Sequence, residues 1–172
     1  MICLLFCFFG FLPPSTIQPD GLISEIKAKD VDYDGKRITL KGDVKIEHRL
    51  GRLACNKATI FLLQAKDTEE KNLTPEYITL EGGVIAELKD GSILHSQLAE
   101  INCQTLEGVF TSPNPEKVTY IAQMKEGEKT VPVKTTSSAM RVRMKKKENE
   151  YVFSDFQGEG SVSIEYQHSN AG

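Results

Sequence analysis

The sequence predicts an all-β protein of antiparallel hairpins with almost no helix, and three observations carry that reading. The first is a strict two-residue alternation. In "RITLKGDVKIEH" (37–48), Ile38, Leu40, Val44 and Ile46 share one parity while Thr39, Lys41, Asp43 and Lys45 share the other, which gives a strand one apolar face. The second is repetition. "YITLEGGVIAEL" (77–88) sets Ile78, Leu80, Val84 and Ala86 in the matching places, with Gly82 where Gly42 stood. "FQGEGSVSIEY" (156–166) repeats the Gly-x-Val step at Gly160 and Val162, followed by Ile164. The third is that no segment carries apolar residues at i, i+3, i+4 and i+7 through three turns, so helix is expected only in an N-terminal leader.

Taken in order, the first twelve residues, "MICLLFCFFGFL", are apolar without a break and run into "PPST". A run this short fits a signal-peptide h-region better than a bilayer span, which takes about 20 residues. Residues 1–19 are therefore expected to be a signal peptide or short membrane leader, and 20–172 a single domain. A start upstream of Met1 would make the leader an uncleaved anchor.

"IKAKDVDY" (26–33) is the first strand, and Asp34-Gly35 supplies a tight turn into 37–48. "LACNKATIFLL" (53–63) returns, and the polar "QAKDTEEKNLTPE" (64–76) connects to 77–88. Asp90-Gly91 turns the chain into "ILHSQLAEINC" (93–103). "VTYIAQM" (118–124) takes the strand role in the one interval that lacks Gly-x-Val, and "KEGEKTVP" (125–132) reads as a second mobile connection. "KTTSSAMRVRM" (134–144) then leads to the third Gly-x-Val strand. The unit is a hairpin of about 40 residues used roughly four times.

Period-two alternation excludes helical repeats, and a propeller needs more blades than this chain holds. What remains is a pair of antiparallel sheets stacked apolar face to apolar face, a sandwich or a partly open roll. Gly42, Gly82, Gly158, Gly160, Ala54, Ala58 and Ala86 fall on the inward parity. They are expected to bend the sheets and leave a lipid-sized space between them.

Lys plus Arg number 21 against 24 Asp plus Glu, a net charge of -3, which argues against a nucleic-acid partner. Cys3 and Cys7 lie in the leader, leaving Cys55 and Cys103. An exported pair could close a loop worth about 3–4 kcal/mol, but the parities disagree. Cys103 shares a face with Ile101 and Ala99, whereas Cys55 shares one with Lys57 and Thr59, opposite Ala58 and Ile60. Cys55 is thus expected to point outward.

No Cys-x-x-Cys occurs, and His48, His95 and His168 stand apart, so neither metal nor cofactor is expected. No nucleophile, base and orienter come together, so no enzyme is expected. "RVRMKKK" (141–147) places Arg141, Arg143 and Lys145 on one strand face and Val142 and Met144 on the other. On the residues alone this is a solvated face or an edge guarded by charge.

"AKDVDYDGKRITLKGDVKIEH", continuing into "LACNKATI", resembles the OstA-like repeat of the lipopolysaccharide-transport proteins, the LptA–LptC family. The shared features are an Ala-led strand, a Tyr-Asp turn, an apolar strand ending in Gly-x-Val-x-Ile, and a further Ala-bearing strand. The resemblance runs through roughly 26–166 and is most specific over 28–60. It implies a β-jellyroll of the β-taco kind, a V-shaped pair of sheets that holds lipid A acyl chains. Under it, Ile38, Leu40, Val44, Ile46, Ile60, Leu62, Ile78, Leu80, Val84, Val162 and Ile164 line the groove, and Arg141, Arg143 and Lys145 contact lipid A phosphates.

The implied role is a periplasmic carrier in a bridge from inner to outer membrane. Its implied partners are lipopolysaccharide, other OstA-like Lpt proteins joined through sheet edges, and copies of itself. The alternatives are an LptC-like component tethered to the inner membrane, or a closed β-sandwich module of structure or adhesion without lipid. Taken without the resemblance, the same apolar set is a dry sandwich core.

Overall fold

The computed structural model describes residues 23–48, 51–63, 75–127, 129–147 and 150–166. The expected leader (1–19) and most of the 64–76 connection lie outside them. Every regular element among the described residues is a strand: β1 (Ile23–Lys27), β2 (Asp30–Tyr33), β3 (Arg37–His48), β4 (Gly51–Leu62), β5 (Pro75–Leu88), β6 (Ile93–Asn102), β7 (Glu107–Thr111), β8 (Val118–Glu126), β9 (Lys129–Ser137), β10 (Ala139–Lys147), β11 (Glu150–Glu159) and β12 (Ser163–Tyr166). All join one 12-stranded sheet, and all its pairings are antiparallel.

The two Asp-Gly turns form as the sequence dictates. Asp34 Oδ1 accepts from the backbone N–H of Lys36 at 3.0 Å and of Arg37 at 2.9 Å, and Asp90 Oδ1 accepts from Ser92 N–H at 2.9 Å. Each side chain thereby holds a turn that its glycine makes sterically possible.

The long strands are bent in the middle, and the bends share one construction. In β3 Lys41 pairs with Lys57 and Val44 with Cys55, so Gly42 and Asp43 stand against Asn56 alone. In β5 Glu81 pairs with Leu98 and Val84 with Ser96, so Gly82 and Gly83 stand against Gln97 alone. Two residues opposing one make a β-bulge, which bends the strand. All four bulge residues have positive φ: 75° and 48° at Gly42 and Asp43, 79° and 65° at Gly82 and Gly83. The breaks between β1 and β2, between β9 and β10, and between β11 and β12 fall on the same line. There Lys29 N–H donates to Gly42 O at 3.0 Å and Ser138 N–H to Glu159 O at 3.1 Å.

The line divides the pairing into two series. On one side β2, 37–41 of β3, 57–62 of β4, 75–81 of β5, 98–102 of β6, β7, β10 and β11 follow one another. On the other run β1, 44–48, 51–54, 84–88, 93–96, β8, β9 and β12. A single buried cluster draws on both series, with Leu40, Ile60, Leu80 and Met140 from the first and Ile46, Val84, Leu94 and Val118 from the second.

A second internal repeat lies on the bend line. Cys55, Ser96 and Ser137 follow at equal intervals, are all buried, and make the same bond. Each donates its side-chain hydrogen to the carbonyl two residues on: Cys55 Sγ to Lys57 O at 3.2 Å, Ser96 Oγ to Leu98 O at 2.9 Å and Ser137 Oγ to Ala139 O at 2.7 Å. A polar group is thus satisfied where the chain turns inside an apolar core.

Four expectations change. Cys55 is buried in the core rather than outward, because inward parity in β4 passes from Cys55 to Ala58 across the bend. Ala58 and Ala86 are inward, and Gly158 keeps the inward parity of Met140 although it is exposed, but Ala54 pairs with Lys45 and Ile85 on the outer parity and Gly160 is exposed. The glycines bend the sheet as expected, yet Leu80, Val84 and their neighbours fill the interior where space was expected. Residues 125–126 and 129–132 belong to a paired hairpin rather than a loose connection, since β8 and β9 pair out to Glu126 and Lys129.

The two residues of the second bulge differ in what they tolerate. Gly82→Ala is expected to destabilise by about 1–3 kcal/mol, since a Cβ there adds positive-φ strain to a 3.0 Å approach to Asn56. Gly83→Asn is expected to stay within about 1 kcal/mol of wild type. It meets nothing within 4 Å, and the first bulge already carries Asp43 in that place. Urea denaturation of the two variants measures the difference.

Candidate functional site: an apolar interior open at two sheet edges

Bent strands in register build apolar rungs across the sheet. In the first series one rung reads Val31, Leu40, Ala58, Leu80, Ala99, Phe110, Met140, Gly158, and the next reads Tyr33, Ile38, Ile60, Ile78, Ile101, Gly108, Val142, Phe156. In the second series Ile26, Ile46, Leu53, Ala86, Leu94, Tyr120, Thr135 and Ile164 align. Of the residues expected to line a groove, Ile38, Leu40, Val44, Ile46, Ile60, Leu62, Ile78, Leu80 and Val84 are at most 6% exposed. They meet in one cluster.

Val162 and Ile164 depart from that expectation, at 46% and 56% exposed. Ile164 keeps the inward parity of its rung, but β12 pairs only with β9 and, among the described residues, no strand lies beyond it. The opposite end matches. β2 pairs only with β3, and Val31 and Tyr33 are 60% and 53% exposed. Every residue of β2 and of β12 is exposed. The first-series rungs therefore start from uncovered Val31 and Tyr33 and finish at Gly158 and half-buried Phe156, while the second-series rung starts from half-buried Ile26 and finishes in uncovered Ile164.

The alternation of "RVRMKKK" is as expected: Val142 is buried, and Arg141, Arg143 and Lys145 are exposed. The strand is not an edge, however, because β10 lies between β7 and β11. Arg143 already grips Glu107 Oε1, from Nε at 2.9 Å and from the terminal guanidinium nitrogen at 2.6 Å. Arg141 Nε lies 3.4 Å from Glu159 Oε1. A phosphate would have to displace a carboxylate at both. Among the described residues Lys145 makes no ion pair and is the readiest of the three for an anion.

Two clefts lie mainly on outward-facing residues. One of about 510 Å³ follows the bend line past Asn56, Lys57, Glu81, Gln97, Leu98 and Pro113. It is crossed by the Lys57–Glu81 ion pair at 2.7 Å. The other, of about 400 Å³, lies between the charged side chains of Lys27, Lys45, Arg52, Glu25 and Glu87.

Cys55 and Cys103 are both free thiols, and burial pushes each up from 9.0 to about 11. No group of three His, Cys, Asp or Glu among the described residues could hold a metal ion. The alternation of 139–144 set Met140 and Val142 opposite Arg141 and Arg143, although they were not in the expected lining; parity counted through 93–103 set Leu94 opposite Ala99 and Ile101, and only the shift across the bend in β6 brings it inward. Val31 and Tyr33 carried no signal, because edge exposure follows from topology. No protein-family model matches the chain, and no curated protein is significantly similar to it.

The thiols give a direct check. In folded protein at pH 8, both are expected to react with Ellman's reagent far more slowly than after unfolding, and both should titrate without reductant. The folded state holds these protons more tightly than the unfolded chain. Their contribution to stability is therefore complete below about pH 9 and is lost as pH rises from 9 towards 11. Urea midpoints across that range, compared with Cys55→Ser/Cys103→Ser, measure the loss.

Proposed function

We propose that the chain is a lipid-carrying module of the cell envelope. Its two series fold face to face as a jellyroll of the taco kind, and its cargo is the acyl chains of lipopolysaccharide. One observation carries the reading: apolar rungs cross the sheet from edge to edge, and each series has one end in exposed apolar residues on an edge strand, Val31 and Tyr33 on β2 in the first and Ile164 on β12 in the second. A carrier slot needs this form. It holds acyl chains through buried area, at about 25 cal/mol per Å², without directional bonds to pin them, and it must continue into the next carrier.

β2 and β12, each paired on one side only, suit β-augmentation, in which a second OstA-like domain extends the sheet and the apolar surface crosses the junction. The partners are then lipopolysaccharide, OstA-like proteins and further copies of this chain. The setting is the periplasm, either free or tethered to the inner membrane. A second reading, a closed sandwich for structure or adhesion, draws on the filled interior of Leu40, Leu80 and Val84.

Mass spectrometry of lipid co-purified with the folded protein separates the two. In the carrier, a photocrosslinking residue at Leu80 captures lipopolysaccharide and one at Glu81 does not; equal capture from both parities would sink the register of the slot.

Association is tested at the edges. Val31→Lys and Ile164→Lys alter exposed side chains and should leave folding intact. Each should weaken self-association, or association with an OstA-like partner, by about tenfold or more, as loss of one buried aliphatic contact implies. Analytical ultracentrifugation over a concentration series reads the change.

A further inference from the structure

We propose that Tyr120 and Phe156 form a releasable latch between the two series, which must part for an acyl chain to reach the interior. The inference rests on the carrier reading. Tyr120 belongs to β8 and lies on the rung of Leu94, in the second series. Phe156 belongs to β11 and lies on the rung of Val142, in the first. Their rings stack across the gap with centroids 4.4 Å apart and planes inclined by 29°. The other ring contact among the described residues, Phe61 with Tyr77, joins neighbouring strands of one series. Tyr120 is held in place by its hydroxyl, 3.2 Å from Ser92 Oγ.

The surroundings make this stack a boundary. Towards the bend line Val118 and Met140 are fully buried, while beyond it Met124 is exposed. The stack also joins the bases of two hairpins that are each anchored on one side. β8 pairs with β6 only over Thr119–Ile121, so 122–126 are held by β9 alone. β10 pairs with β7 only as far as Arg143, and Met144 N–H still donates to Leu106 O at 2.8 Å, so 145–147 are held by β11 alone. Hairpins held in this way can swing apart without breaking the ladder between β3 and β6, and one aromatic pair is a weak enough tie to release.

The test joins the latch covalently. Tyr120→Cys/Phe156→Cys is made with the other cysteines replaced by serine, bridged by a short bis-methanethiosulfonate, and offered lipopolysaccharide micelles. Loading before bridging, at least tenfold slower loading after it, and recovery with reductant are the expected result. Equal loading in the bridged and open forms overturns the latch and leaves the carrier reading standing. Failure of the wild-type chain to load at all removes both.

Should the double variant not fold, Phe156→Leu and Tyr120→Phe decide. Leucine fills the place without a ring and should load several-fold faster than wild type, whereas phenylalanine keeps the stack and should load as wild type does. Wild-type rates in both overturn the latch.

Discussion

The structure depends on where the backbone is allowed to bend. An antiparallel sheet of this size would otherwise expose its apolar face, and no helix among the described residues covers it. Gly42-Asp43 and Gly82-Gly83 supply the bend by placing two positive-φ residues against one partner, a conformation that costs little only in glycine or a short polar residue. Asp43 meets that condition and adds a 2.5 Å ion pair to Lys29, which sits where the first strand breaks. The inner side of the same line carries Cys55, Ser96 and Ser137, each tied to a nearby carbonyl. Without those bonds the bend would leave buried polar groups unpaired.

Everything apolar follows from that line. Because the bulges preserve inward parity in β3 and shift it in β4 and β6, both halves of each strand send their aliphatic side chains into one cluster. A one-residue error in any bend would turn half a strand inside out. The rungs stay continuous because the registers of successive strands agree; those of the first series run from β2 to β11 and that of the second from β1 to β12, where among the described residues no further strand pairs. A filled interior and uncovered ends stand in tension. A simple sandwich has no use for the second, and a permanently open slot could not have the first. The proposed carrier, closed at rest and opened for cargo, would account for both.

Much of this was legible in the chain. Alternation in 37–48 and 77–88 marked Leu40, Ile46, Leu80 and Val84 as inward, and Gly-x-Val marked the bends. What the alternation could not give was the fate of Cys55. Parity counted through 53–63 without a break puts it outside, and only the partner strand reveals that Asn56 faces two residues. Val162 and Ile164 misled for a different reason. Their parity was read correctly, but burial needs a neighbour, and whether a strand is last in its sheet is a property of topology rather than of local sequence. The pairing of Arg143 with Glu107 was hidden in the same way, since the two meet only through the register of β7 and β10.

The interval without Gly-x-Val shows how the bend line serves the rest. There the chain does not bulge; it leaves the sheet after Thr111 and rejoins it at Val118. The place of a bulge glycine is taken by Ser112, whose Oγ accepts from Gln97 N–H at 3.1 Å. A bulged strand keeps its two halves in rigid register, whereas β7 and β8 are separate strands joined by an excursion. That break lies next to the β8–β9 and β10–β11 hairpins, whose outer parts are each held on one side. The two series are thus coupled stiffly through β3 to β6 and loosely through β7 to β11. Side chains take over where the backbone coupling is weak, which is where Tyr120 and Phe156 meet.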